Sequence, residues 1–230
     1  KNLVFRAATL FREALGTQDG VRLRLRKRIP LEAGLGGGSG DAATALLGLN
    51  ELFGNPLSPT QLHALGAQLG SDVPFFLEPG PALALGRGEK VEKLAPFPAL
   101  AGTWFLLVHP GFGVPTAWAY GELARYPTAL TGEPGRARRL IDLLQANDLA
   151  CARSEFYNAL ELPVFFKYPL LAMFQEFFRE QGASVALMSG SGSTTFGIFP
   201  SPDHAERVRE EVRERFGPDC WTACVPVNPA

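Results

Sequence analysis

Five of the seven residues from Gly34 to Gly40 are glycine, and this run governs how its surroundings can fold. Helices and strands pack through side chains, so a stretch this bare belongs at a turn, where backbone comes close to something else. Its flanks are patterned. Val21-Arg22-Leu23-Arg24-Leu25-Arg26 alternates apolar and charged residues, which predicts a half-buried strand with its arginines in water. From Asp41 to Phe53, the residues Ala42, Ala45, Leu46, Leu49 and Leu52 recur at helical spacing. Strand, glycine loop and helix in that order aim backbone N–H groups and a helix N-terminus at one point, which is a phosphate site. The plainer alternative is a loop that uses glycine only for its bends.

Spelling excludes the commonest loops of this kind. No lysine lies between Pro30 and Asp41, so a Walker A ending is absent. The dinucleotide fingerprint needs glycine at its sixth position. Counting from Gly34 that position is Ser39, and counting from Gly36 it is Asp41. A hydrolase elbow fails as well, because Ser39-Gly40 is followed by Asp41 at the wrong spacing.

Composition narrows the class further. Glycine is enriched at 25 of 230 residues, yet the hydrophobic share of 46% and charged share of 20% are those of an ordinary globular chain. The length suits one large domain or two small ones. A net charge of −1 provides no field to draw nucleic acid or an anionic membrane. No apolar run approaches the ~18 residues of a membrane span, and the opening Lys1 to Arg6 is no signal peptide. Cys151, Cys220 and Cys224 are odd in number and form no CxxC pair, which suits free thiols in a reducing cytoplasm. A zinc set of Cys220, Cys224 and His204 is the alternative.

Along the chain, Ser58-Pro59-Thr60-Gln61 spells an N-cap, a first-turn proline and a capping box, with the helix stopped at Gly70. Strand-like pieces follow at Phe75 to Leu77, Ala82 to Leu85 and Thr103 to Val108. The Pro- and Gly-rich stretch 79–98 predicts the boundary between domains 1–93 and 94–230. Beyond it the patterns predict helices from Pro134 to Leu149 and from Pro169 to Gln181. Strands at Ser184 to Met188 and Thr194 to Phe199 flank Ser189-Gly190-Ser191-Gly192-Ser193. A helix from Ser201 to Phe216 and a strand from Trp221 to Val225 complete an α+β arrangement. Phe165, Phe166, Phe177 and Phe178 read as core aromatics, His63 as a surface residue and His109 as packed.

The segment from Pro30 to Ala43 resembles the P-x-x-x-G-L-G motif, closed by A-A, of the GHMP small-molecule kinases. Three further segments resemble one branch, the kinases acting on 4-diphosphocytidyl-2-C-methyl-D-erythritol in the non-mevalonate isoprenoid route. They are Asn2-Leu3 with Arg6-Ala7-Ala8, Gly70-Ser71-Asp72-Val73-Pro74-Phe75-Phe76, and His109-Pro110-Gly111 with Val114-Pro115-Thr116. Ser189 to Phe196 is similar to the family's third, glycine-rich motif. The resemblance implies a two-domain α+β GHMP kinase fold whose C-terminal domain is a ferredoxin-like α/β sandwich. It implies ATP and Mg²⁺ as cofactors, and a small-molecule substrate carrying a cytidine diphosphate group, phosphorylated at its 2-hydroxyl. Another GHMP kinase, such as homoserine kinase, and a non-catalytic ATP-binding module stay open. The family's opening P-x-K-(x)-N-L strand and its aromatic–His pair have no counterpart here, so a segment preceding Lys1 is expected.

Carried over residue by residue, the resemblance implies that Asp72 takes the proton of the attacking hydroxyl and touches substrate. Pro30, Leu31, Glu32, Ala33, Gly34, Leu35, Gly36, Gly37, Gly38, Ser39 and Gly40 would hold ATP, with Lys27, Asn2 and Leu3 near its adenine and ribose. Thr116, Tyr120, Gly190, Ser191 and Gly192 would meet the cytidine substrate. No metal ligand is assigned. From the residues alone, Asp72 also reads as a helix cap, Lys27 as a solvated strand end, and Thr116 with Tyr120 as the start of an amphipathic helix.

Overall fold

Asn2 begins the first helix, α1 (Leu3–Leu15), by accepting the Val4 N–H at 2.9 Å, and Gly16 in the left-handed region ends it. The computed structural model describes residues 2–86, 88, 90–131 and 133–227. Lys1, on which the expectation of a preceding segment rests, lies outside the described residues. The chain forms two units: residues 2–28 with 36–95, and residues 29–35 with 96–227. The glycine run thus divides between them at Leu35 and Gly36.

In the first unit α1 packs on α2 (Gly37–Leu52) and α3 (Pro59–Leu69). Their shared core includes Phe11, Leu46, Leu49, Leu62 and Val73. Phe11 and Leu46 are fully buried, each stabilising the fold by roughly 1.5–3 kcal/mol. The capping box forms as its spelling predicts: Ser58 Oγ accepts the Gln61 N–H, and the Gln61 side chain accepts the Ser58 N–H. A short antiparallel hairpin, β1 (Ala82–Leu85) and β2 (Lys90–Lys93), completes the unit.

Three expectations fail here. Residues 21–26 form no strand: Leu23 is 44% and Leu25 39% exposed, and among the described residues no strand pairs with them. Alternation sets which side chains share a face, but a strand also needs a ladder partner. Helix α2 starts at Gly37 rather than Asp41, because left-handed Gly36 makes the turn and leaves residues 37–40 as the first helical turn. Pro74–Leu77 is a 3₁₀ turn rather than a strand, with Phe76 N–H donating to Val73 O.

The second unit is built on a four-stranded antiparallel sheet. Its strands are β3 (Trp104–His109), then, after the helices α4 (Thr116–Leu123), α5 (Pro127–Thr131), α6 (Arg136–Gln145), α7 (Leu149–Ala152), α8 (Glu161–Lys167) and α9 (Pro169–Glu180), β4 (Val185–Met188) and β5 (Thr195–Phe199). Helix α10 (Pro202–Phe216) leads to β6 (Trp221–Pro226). The order β4-β5-β3-β6 is the ferredoxin-like one. Leu106, Val108, Met188 and Phe199 share one core with Phe174 and Phe178 of α9 and Val208 of α10. On this sheet Gly197 has no room for a side chain, since a Cβ would lie 3.1 Å from the Phe178 ring.

The helix expected from Pro134 to Leu149 breaks between α6 and α7. Asn147 takes the left-handed region, which asparagine tolerates, and Asp148 restarts the helix by accepting the Cys151 N–H. Phe166 is 87% exposed and not a core aromatic, because it lies two positions from buried Val164 and so on the far side of α8. His63 is not a plain surface residue either: its Nε2 meets Glu78 Oε1 at 2.9 Å.

Candidate active site

Of the first unit's candidate residues, Gly36 to Gly40 form the start of α2, with Leu3 beside Gly38. A sixteen-residue helix with neither a side-chain cap nor an acidic residue in its first turn leaves its leading N–H groups open to an anion. Gly36 creates that opening. Its φ of 62° suits glycine, and a Cβ there would fall 2.6 Å from Phe76 Cζ. Gly40 rests on the same ring, a Cβ lying 3.6 Å from Phe76 Cδ1. Phe76 therefore ties the turn bearing Asp72 to the glycine turn. The second glycine of that helix, Gly38, approaches Leu3, whose Cδ1 would meet a Cβ at 3.5 Å. Gly37 and Ser39 complete the turn, partly buried.

Asp72 is exposed, two residues beyond Gly70 at the end of α3, and its Oδ1 lies 3.3 Å from where a Gly88 Cβ would sit. The β1–β2 turn thus borders the carboxylate. Lys27 forms an ion pair with Asp41, in the second turn of α2. Asn2 spends its side chain on capping α1.

The second unit holds the other half of the candidate set. Ala33 O accepts the Thr194 N–H at 3.1 Å, and Gly34 O accepts from Ser189 Oγ at 2.9 Å. A Cβ on Gly34 would fall 2.1 Å from Ser189 O, so only glycine fits against this turn. Left-handed Glu32 accepts the Val114 N–H at its carbonyl. Pro30, Leu31 and Leu35 complete the segment, with Leu31 exposed. Asn158 holds the turn from the other side, its Nδ2 donating to Met188 O and Gly190 O, both at 2.8 Å. Ser191 Oγ meets Thr116 Oγ1 at 2.9 Å, and Ser193 Oγ donates to Phe112 O, so this turn also anchors the loop before α4. Gly192 is packed on Met188. Tyr120 takes no part in these contacts and stands 61% exposed on α4.

His109 is buried at the end of β3 and accepts the Gly111 N–H at Nδ1, bracing the turn that leads to Thr116. Burial lowers its pKa, so the ring is held neutral. Nothing local to the motifs marks Phe76, Asn158, Asp41 or His109 as supports. Their partners lie between 2 and 40 positions away, and the visible signals are the paired aromatics Phe75-Phe76 and the His-Pro-Gly spelling.

The family model "GHMP kinases N terminal domain" matches residues 2–80, and "GHMP kinases C terminal" matches residues 129–218. A 4-diphosphocytidyl-2-C-methyl-D-erythritol kinase of Pelotomaculum thermopropionicum is 43% identical over 213 residues, covering 93% of this chain and 72% of that one. Its counterpart from Syntrophotalea carbinolica is 39% identical over 234 residues, covering 99% and 77%. Among solved structures, a 4-(cytidine 5'-diphospho)-2C-methyl-D-erythritol kinase superposes with TM-score 0.77 at 36% identity, covering 98% of this chain and 78% of that one. A homoserine kinase from Cytophaga hutchinsonii superposes at 0.80 with 23% identity, covering 100% and 77%, which is a likeness of fold.

Proposed function

The chain belongs to the 4-diphosphocytidyl-2-C-methyl-D-erythritol kinases, ATP-dependent small-molecule kinases of the GHMP group, and we propose that it phosphorylates the 2-hydroxyl of that cytidine-bearing substrate. One observation carries the reading into chemistry. The uncapped N-terminus of α2 and the turn bearing Asp72 are joined through the ring of Phe76. A phosphate-binding turn and a carboxylate on one framework are what phosphoryl transfer asks of a protein, since the reaction depends on positioning and charge stabilisation.

In this reading residues 30–40 hold the phosphates of ATP, with first-turn N–H groups of α2 facing its negative charge. Asn2, Leu3 and Lys27 serve the adenosine end, Lys27 with its charge already balanced by Asp41. Asp72 accepts the proton of the 2-hydroxyl as that oxygen attacks the γ-phosphorus and ADP leaves. Thr116, Tyr120 and the turn Gly190-Ser191-Gly192 serve the cytidine substrate. Magnesium, when bound with the nucleotide, would supply neutralisation of the charge that develops on the transferred phosphate. No helix among the described residues is long and apolar enough to cross a membrane, and the three cysteines are free. Free thiols support a reducing, cytoplasmic setting.

The test is ADP release by the purified protein with ATP, Mg²⁺ and either the cytidine substrate or homoserine. Turnover with the cytidine substrate alone is expected. Turnover with homoserine instead would overturn the assignment.

A further inference from the structure

Apart from the residues assigned above, the second unit has a cavity of about 250 Å³ along β4, the edge strand of its sheet. Arg153, Phe156, Tyr157, Glu161 and Arg179 line it together with the strand itself. An edge strand leaves alternate residues with their backbone groups turned away from the sheet. Ser189 N–H donates to Thr194 O, so Leu187 and Val185 share its orientation toward β5, while Met188 and Ala186 face outward. Met188 is already satisfied: Glu161 Oε1 accepts its N–H at 2.8 Å, and Asn158 donates to its carbonyl. Ala186 has no such side-chain partner among the described residues.

The charges are equally unbalanced. Glu161 is committed, since the oxygen that accepts from Met188 also accepts the Gln175 amide at 2.8 Å. Arg179 donates to the other end of that amide, at Gln175 Oε1. Arg153 has no ion pair among the described residues. Arg136, outside the lining, lies 4.7 Å above the Tyr157 ring and is paired with Glu155 at 3.7 Å, so it adds no free charge to this wall. Two guanidiniums and an open N–H therefore face a space with one carboxylate, Glu161, whose charge acts on Arg179, so Arg153 leaves the lining net positive.

We propose that this cavity is a binding site for a small oxyanion, a carboxylate or a phosphate monoester, held by Arg153 and Arg179 and by the Ala186 N–H. Guanidinium forks match both anions through paired hydrogen bonds. One open residue is too little edge for a pairing strand, and the cavity's volume suits a molecule of modest size. The site owes nothing to the phosphate turn of α2, so it stands or falls apart from the kinase reading.

Phenylglyoxal modification of the whole protein, quantified at each arginine by peptide mass spectrometry, tests this directly. Inorganic phosphate and succinate serve as the two probes, with chloride at matched ionic strength as control and exposed Arg22, Arg24 and Arg125 as reference sites. At twice its dissociation constant, a bound anion should slow modification of Arg153 and Arg179 by roughly threefold and leave the references alone. Protection by phosphate only or by succinate only supports the site and identifies its source chemistry. In Arg153→Ala, an exposed position that should not disturb folding, protection of Arg179 should disappear. Protection shared equally by the reference arginines, matched by chloride, or unchanged at Arg179 in Arg153→Ala would overturn the proposal, as would no protection by either probe.

Discussion

The ring of Phe76 occupies the space that a side chain at Gly36 would need, 2.6 Å from an ideal Cβ. A residue forty positions downstream thereby fixes the shape of the glycine turn from beneath, and the turn's openness to anions follows from a hydrophobic contact.

Gly36→Ala is expected to damage the protein in two separable ways. The left-handed backbone costs a non-glycine residue about 1–3 kcal/mol, and the methyl group must displace the ring as well. Tm should fall and the KM for ATP should rise. In Gly36→Ala with Phe76→Leu the smaller side chain makes room but the backbone strain stays, so recovery should be partial. Thermal melts and steady-state kinetics on the four proteins measure both parts, and an unchanged ATP KM in Gly36→Ala would show that the turn does not hold phosphate.

Asp72→Asn should reduce kcat by roughly 10²–10⁴, the range for loss of a general base, with ATP binding retained. The position is exposed and the substitution isosteric, so Tm should not move. Equilibrium binding of an ATP analogue beside turnover separates the two effects. Near-normal turnover would remove Asp72 from the mechanism.

The same distances explain what could be read in advance. Local devices were legible: the capping box of Ser58 and Gln61 spans four residues, and Asn2 caps α1 across two. The second unit's strands were legible too, since each is apolar and bounded by turn residues. Contacts across the chain were not. Lys27 finds Asp41 fourteen residues on, and Gly34 meets the Ser189 turn 155 residues on; neither spacing has a periodicity to betray it. The alternation at Val21 to Arg26 predicts two faces, but Leu23 and Leu25 are exposed as well, because alternation carries no information on whether a partner strand is there to bury one face.

His109 links the fold to pH. Burial holds its pKa below the usual 6.5, so the folded state prefers the neutral ring that accepts from Gly111. As pH falls through 6.5 the unfolded chain binds the proton first. Stability is therefore full above that point and lost as pH drops toward the folded pKa. Glu161, raised by burial, acts in the opposite sense, its contribution present at low pH and lost as pH rises through its folded value. Comparing wild type with His109→Gln isolates the histidine. Between about pH 7 and pH 5 the Tm of wild type should decline more steeply than that of the variant. Parallel curves would mean that His109 titrates alike in both states.

Tyr120 bears on substrate choice, and its exposure makes the experiment clean. At 61% exposed it contributes little to packing, so Tyr120→Ala should leave Tm unchanged. It stands one helical turn beyond Thr116, whose hydroxyl is bonded to Ser191, so both residues project from one face of α4. If the ring stacks on the cytosine, removing it forfeits about 1–3 kcal/mol, or roughly a 5- to 150-fold rise in KM for the cytidine substrate. Tyr120→Phe keeps the ring and should be nearly silent, because stacking does not use the hydroxyl. The KM for ATP should not respond in either variant, its adenine being assigned to Asn2, Leu3 and Lys27. Steady-state kinetics with each substrate varied in turn gives all four values. A Tyr120→Ala enzyme with an unaltered KM for the cytidine substrate would leave recognition of the base to other residues and reduce Tyr120 to a solvated position on α4.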